Sequence, residues 1–118
     1  MTHTPSAFIR PFDQAEPYEQ DEPGDARFSW LLKRNELPGL AIGRVRLTGP
    51  IHKTPAAHGE WEQVYLILKG TATVHLPDSR HRVEAPSVVV IPRHTLHSVE
   101  LTANETLEYA FINQYHHG

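Results

Sequence analysis

Two short runs, Val64-Tyr-Leu-Ile-Leu68 and Val88-Val-Val-Ile91, carry apolar side chains at every position, and each is stopped abruptly, the first by Lys69-Gly70 and the second by Pro92. Runs this short and this rich in β-branched residues read as strands rather than as a buried helix. A strand that is apolar on both faces cannot leave either face in water. The chain must therefore fold into a closed or layered β structure whose outer face is covered too, either by the segment around residues 26–34 or by a second subunit. A homodimer is the expected assembly.

The rest of the sequence agrees with an all-β reading. Ala26–Arg34 alternates well enough to be a strand, Asn35-Glu-Leu-Pro-Gly39 reads as a turn, and Leu40–Thr48 is a second strand closed by Gly49-Pro50. Within that second strand the apolar set changes parity at Gly43, from Leu40 and Ile42 to Val45 and Leu47, which suggests a β-bulge at the glycine. Further strands are expected at about 63–69, 71–76, 80–84, 87–91, 97–102 and 106–113. No stretch has a convincing helical period, so a sandwich or barrel is indicated.

Length and composition narrow the function classes. At 118 residues the chain holds one compact domain. It has no cysteine, so it needs no oxidising compartment, and it opens without a signal-peptide pattern or an apolar run of bilayer length, so a cytoplasmic protein is the expectation. Basic residues are scattered rather than striped, which gives nucleic-acid binding little support. Asp13, Glu16, Glu19, Asp21, Glu22 and Asp25 crowd a proline-containing segment, read here as a solvated acidic arm over residues 1–25 preceding a domain at 26–118. Phe8, Ile9 and Phe12 are the side chains that could anchor it. His3, His116 and His117 are expected at mobile termini.

Chemistry concentrates in His58-Gly-Glu-Trp-Glu-Gln63 and Pro92-Arg-His-Thr-Leu-His97. Each leads into or out of a strand run, so two imidazoles and a carboxamide can converge inside one β structure. Neutral imidazole and amide oxygen suit Fe, Mn, Ni, Cu or Zn.

Val64–Gly70, Thr71–Leu76, Val83–Pro92 and His97 together resemble a single-domain cupin of the small conserved-barrel type, over roughly residues 40–113. The resemblance implies a double-stranded β-helix, or jelly-roll barrel, and one divalent transition metal held by the two His of an HxH motif, a Glu or Gln, and a last His. Carried over residue by residue, it places Gln63 at the Glu or Gln position, seven before Gly70, with His58 as the second His and His97 as the last. The sequence departs from the pattern twice: Ala56 stands at the first His, and His94 stands at the glycine of the second motif. His94 is expected in a turn with positive φ. His52 is a candidate to replace the ligand missing at Ala56, and equally an exposed residue.

Period-two alternation puts Gln63, Tyr65 and Ile67 on one face and Leu107, Tyr109, Phe111 and Asn113 on another. Tyr65 and Tyr109 are the candidate catalytic side chains, Tyr65 as a proton donor, although both also read as core tyrosines. His75, on the face opposite Ala72 and Val74, is expected to point outward. The sequence thus leads to a metal-dependent enzyme acting on a small organic molecule by isomerase, lyase or dioxygenase chemistry, or to a non-catalytic module that binds a small metabolite or sugar.

Overall fold

A computed structural model describes residues 6–21 and 25–116 of the chain. Among these residues a 3-10 turn at Phe12–Gln14 precedes nine strands: β1 (Glu19–Asp21), β2 (Asp25–Leu32), β3 (Leu40–Thr48), β4 (Ile51–His52), β5 (Trp61–Leu76), β6 (Ser79–Glu84), β7 (Ser87–Ile91), β8 (Ser98–Leu101) and β9 (Thr106–Tyr115). Every pairing is antiparallel, and the strands run in the order β1-β2-β3-β9-β5-β8-β4, with β6 and β7 also joined to β5. This is the expected all-β jelly-roll barrel.

The strand β5 makes the barrel possible. Its first half, from Trp61, lies between β9 and β7, and its second half, Thr71–Leu76, lies between β6 and β8, so one strand belongs to both layers. Inward positions are Gln63, Tyr65 and Ile67 before the crossing and Ala72 and Val74 after it. That change of parity coincides with a register shift between Ile67 and Lys69 and with Gly70 at φ 91°. A Cβ on Gly70 would stand 1.9 Å from the Thr106 carbonyl oxygen, so only glycine fits the bend. Where the sequence suggested two strands divided at Gly70, the structure has one bent strand.

The core packs Leu47, Ile67, Val74, Ile91 and Leu107 between the layers, all almost fully buried. The bulge expected at Gly43 sits instead on the partner strand, as a register shift between Trp30 and Leu32 of β2. Ala41, Gly43, Val45 and Leu47 all face inward without interruption. Gly43 is required for room, because a Cβ there would fall 2.2 Å from Cζ of Phe111, whose ring packs against Phe28 and Trp30. Leu40 and Ile42 are apolar for another reason. They lie on the outer face, where Ile42 shares a groove with Phe8, Phe12 and Leu66.

The acidic segment differs from a solvated tail over its described residues. Glu19–Asp21 pairs with Ala26–Phe28, Arg10 makes a bidentate pair with Glu36, and Lys33 pairs with Glu16 at 2.5 Å. The Ser29 hydroxyl also donates to the Glu16 carbonyl. Opposite charges on the barrel thus hold what its own few apolar side chains would not: Ile9 is 93% exposed. Glu22, His3 and His117 lie outside the described residues. His116 is tied down, donating its backbone N–H to Glu60 and pairing with Glu62 at 3.0 Å.

The outer faces of β5 and β7 keep an apolar patch of Leu66, Leu68, Val88 and Val90, the last 62% exposed. Leu31 and Leu32 share the groove that Leu66 lines, but Val88 and Val90 remain more than half exposed. Among the described residues, no helix is long and apolar enough to cross a membrane.

Candidate metal centre

A cavity of about 230 Å³ opens between the layers, and Ala56, His58, Gln63, Tyr65, His97 and Tyr109 all line it together with Lys53, Thr54, Val45 and Phe111. The three principal ligand candidates and both tyrosines named from sequence therefore share one site. They arrive there from different parts of the fold. Gln63, Tyr65 and Tyr109 come from the inner faces of adjacent strands β5 and β9, whereas His58 and His97 come from loops leading into β5 and β8.

Gln63 is nearly buried, and its Nε2 donates to Asn113 Oδ1 at 2.8 Å. Asn113 in turn donates through Nδ2 to the Tyr115 hydroxyl at 3.3 Å. This chain of bonds fixes the orientation of the Gln63 amide. Its Oε1 is buried and has no hydrogen-bond partner among the described residues. A buried carbonyl oxygen without a donor costs about 1–3 kcal/mol, so the arrangement is one that a cation would relieve.

The imidazoles suit the same cation. His97 is 6% exposed, and its Nδ1 lies 2.9 Å from the Thr95 carbonyl oxygen, which can only accept. Nδ1 therefore carries a proton, so Nε2 is the ring nitrogen that would serve as the ligand. His58 lies 5.1 Å from His97 between ring centroids and stacks on Trp61 at 4.6 Å. Burial first, and the neighbouring His97 second, hold the His58 pKa below the usual histidine value, which favours the neutral form able to ligate. Neutral imidazole nitrogens and an amide oxygen are a coherent donor set for a divalent transition ion.

The position of Ala56 is now explicit. Its backbone forms an isolated antiparallel bridge with His97, with N–H···O distances of 3.0 and 2.9 Å, and it lines the cavity. A methyl group thus occupies a wall position directly across from His97. His94 has φ 64° as expected, donates its backbone N–H to the His58 carbonyl at 2.7 Å, and packs its ring over Gly59. It holds the His58 loop rather than lining the cavity.

His52 does not replace the missing ligand. It lies in β4 on the outside of the barrel, stacked on His75 at 5.2 Å, because strand alternation turns it away from its inward neighbour Ile51. Tyr65 is 7% exposed, 4.7 Å from the Tyr109 ring and 6.2 Å from His97. Burial pushes its hydroxyl well above the ordinary tyrosine range, so at neutral pH it is a proton or hydrogen-bond donor and not a base.

Sequence reasoning placed Asn113 on the cavity face but missed that it orients Gln63. The signal lies in the register Gln63↔Asn113, which no local pattern reveals. Lys53 and Thr54 were missed as wall residues because they follow β4 in irregular backbone.

A family model described as the AraC-like ligand binding domain matches residues 37–114. The chain belongs to this family. The matched segment of this AraC-like domain runs from the turn before β3 almost to the end of β9 and holds every residue that lines the cavity except Phe28. No curated protein matches the chain. Among solved structures, a predicted oxalate decarboxylase from Thermotoga maritima is similar, with a TM-score of 0.83 and 18% identity over 92% of this chain and 99% of that one. KdgF from Halomonas sp. superposes with a TM-score of 0.74 and 22% identity, covering 92% and 94% of the two chains. A cupin 2 conserved barrel domain protein from Salinispora arenicola gives a TM-score of 0.73 and 18% identity over 94% and 91%. These likenesses confirm for the AraC-like domain the cupin barrel expected from its sequence.

Proposed function

We propose that the cavity is the active site of a metal-dependent enzyme acting on a small organic molecule, with His58, Gln63 and His97 holding one divalent transition ion. The observation that carries this reading is the buried, partnerless Oε1 of Gln63, held in place by Asn113 in the same cavity as two imidazoles. The ion, when bound, supplies Lewis-acid polarisation of a carbonyl, enol or carboxylate oxygen, chemistry that serves isomerisation, elimination or dioxygen insertion.

The chain supplies the rest. Tyr65, protonated and buried beside Tyr109, donates a hydrogen bond or a proton to the bound molecule, and Tyr109 with Phe111 and Val45 excludes water from it. A cavity of about 230 Å³ admits only a small molecule. Similar barrels described as a predicted oxalate decarboxylase, a polyketide cyclase and DMSP lyases support small-molecule chemistry in this setting.

A second reading is supported by one specific feature: the methyl of Ala56 stands in the cavity wall where the cupin pattern has a ligand, and the family is described as ligand binding. On this reading the cavity binds a small metabolite or sugar without turning it over.

Elemental analysis of untagged protein, alone and with His58→Ala or His97→Ala, tests the metal site. The expected result is a metal content that falls by one ion per chain with either substitution while the β fold persists. Full occupancy in either variant removes that residue from the site. Metal-dependent turnover, reduced by Tyr65→Phe, supports the enzyme; stabilisation by a ligand without turnover supports the binding module.

The assembly we propose is a homodimer formed through the outer faces of β5 and β7. Leu66 and Val88 are direct cross-strand partners there, next to Leu68 and Val90, and the patch is continuous enough to be covered by its own copy.

A further inference from the structure

We propose that His52, His75 and Glu100 form a second site for a divalent transition metal, on the outside of the barrel and separate from the central cavity. The three residues come from three neighbouring strands, β4, β5 and β8. His52 is the direct partner of Glu100, while Glu100 pairs with Thr73 and His75 with Ser98, so all three side chains leave the same face of one sheet. One ligand atom from each lies within 4.8 Å of the other two. Ligand bonds of roughly 2.0–2.2 Å place donor atoms about 3–4 Å apart, so small side-chain rotations close the set around one ion. Two imidazoles and one carboxylate favour Zn, Ni, Cu or Fe over Mg or Ca.

A plain surface hydrogen bond explains only part of the arrangement. His75 Nε2 lies 2.7 Å from Glu100 Oε1, which accounts for that pair. It does not account for His52, whose ring stacks on His75 with an interplanar angle of 20° and adds a third donor to the same spot. His52 is exposed and the other two are half-buried, so an ion can enter from solvent onto a stiff strand framework. Arg80, the cross-strand partner of His75, adds positive charge near Glu100 and moderates the affinity. An ion here would also pin β4, a two-residue strand bonded only to β8, whose next residues Lys53 and Thr54 form part of the cavity wall.

Zinc titration of the untagged full chain, by calorimetry with elemental analysis, tests the site. The unmodified protein is expected to take up two zinc ions, and His75→Ala or Glu100→Gln one fewer. In the His58→Ala/His97→Ala background one ion remains, and adding His75→Ala removes it. Arg80→Gln tightens the outer site severalfold. A zinc stoichiometry unchanged by both His75→Ala and Glu100→Gln overturns the proposal, and that comparison needs no change to the central cavity. A single ion that survives His58→Ala/His97→Ala but is lost with His75→Ala upholds the outer site while removing the central one.

Discussion

Gln63 Nε2 donates to Asn113 Oδ1 at 2.8 Å, and with this bond made the amide oxygen is left over for a cation. Asn113→Leu removes the acceptor and lets the amide turn over. Cation affinity is expected to fall about 10–100-fold with the barrel intact, as happens when residues that orient metal ligands are lost. Competition of the variant with a coloured chelator measures it, and an affinity equal to the parent's would mean that Gln63 is not a ligand.

Ala56 faces His97 through two backbone hydrogen bonds and is one of the residues that line the cavity. Ala56→His therefore adds an imidazole next to the existing donors. Zinc or nickel is expected to bind at least tenfold more tightly, because a fourth protein ligand is gained without backbone movement. Unchanged or weaker binding by calorimetry would show that the added ring points elsewhere.

The barrel was readable in the sequence because its cues are local: apolar runs, Pro and Gly stops, and the spacing of Gln63 and Gly70. The meeting of His58, Gln63 and His97 was readable for the same reason, since each flanks a recognisable strand. What failed were inferences about the second face of a strand. Ile42 changed parity without a bulge, because apolar residues on the outer face serve the arm as well as those inside serve the core. The arm looked too polar to order, yet Arg10, Lys33 and Ser29 hold it through charge and hydrogen bonds that a burial argument does not count. His52 and His75 lie far apart in sequence, and only the pairing of β4 and β5 with β8 brings them together.

Glu105 accepts from Arg82 at 2.5 Å, from the Thr102 backbone N–H at 2.8 Å and from the Thr71 hydroxyl at 3.1 Å. The Arg82 guanidinium and that backbone bond lower its carboxyl to about 2. The folded state thus prefers the carboxylate, so the stabilisation is complete above the ordinary value near 4.5 and is lost as pH falls through it toward 2. Glu105→Gln is expected to lower Tm at pH 7 by a few degrees, on the order of 1 kcal/mol, with the difference closing below pH 4. Melting curves across pH check it; a constant offset down to pH 2 would contradict the assignment.

Val88 and Val90 are 57% and 62% exposed on the outer face of β7. Replacing both with Asp places two charges in the proposed dimer contact and leaves the core untouched. Sedimentation is expected to show the parent as a dimer and the variant as a folded monomer. A parent that sediments as a monomer at micromolar concentration would exclude the interface.

The passage of β5 through both layers has a consequence for how the molecule comes apart. With its 16 residues bonded in the first half to β9 and β7 and in the second half to β6 and β8, neither layer can open without breaking register in the other. The barrel should therefore exchange its amide hydrogens as a single cooperative unit, with Tyr65 and Val74 amides protected to the same global free energy although they belong to different layers. The strands bonded to one neighbour, β1, β4, β6 and β7, are where exchange by smaller openings would begin.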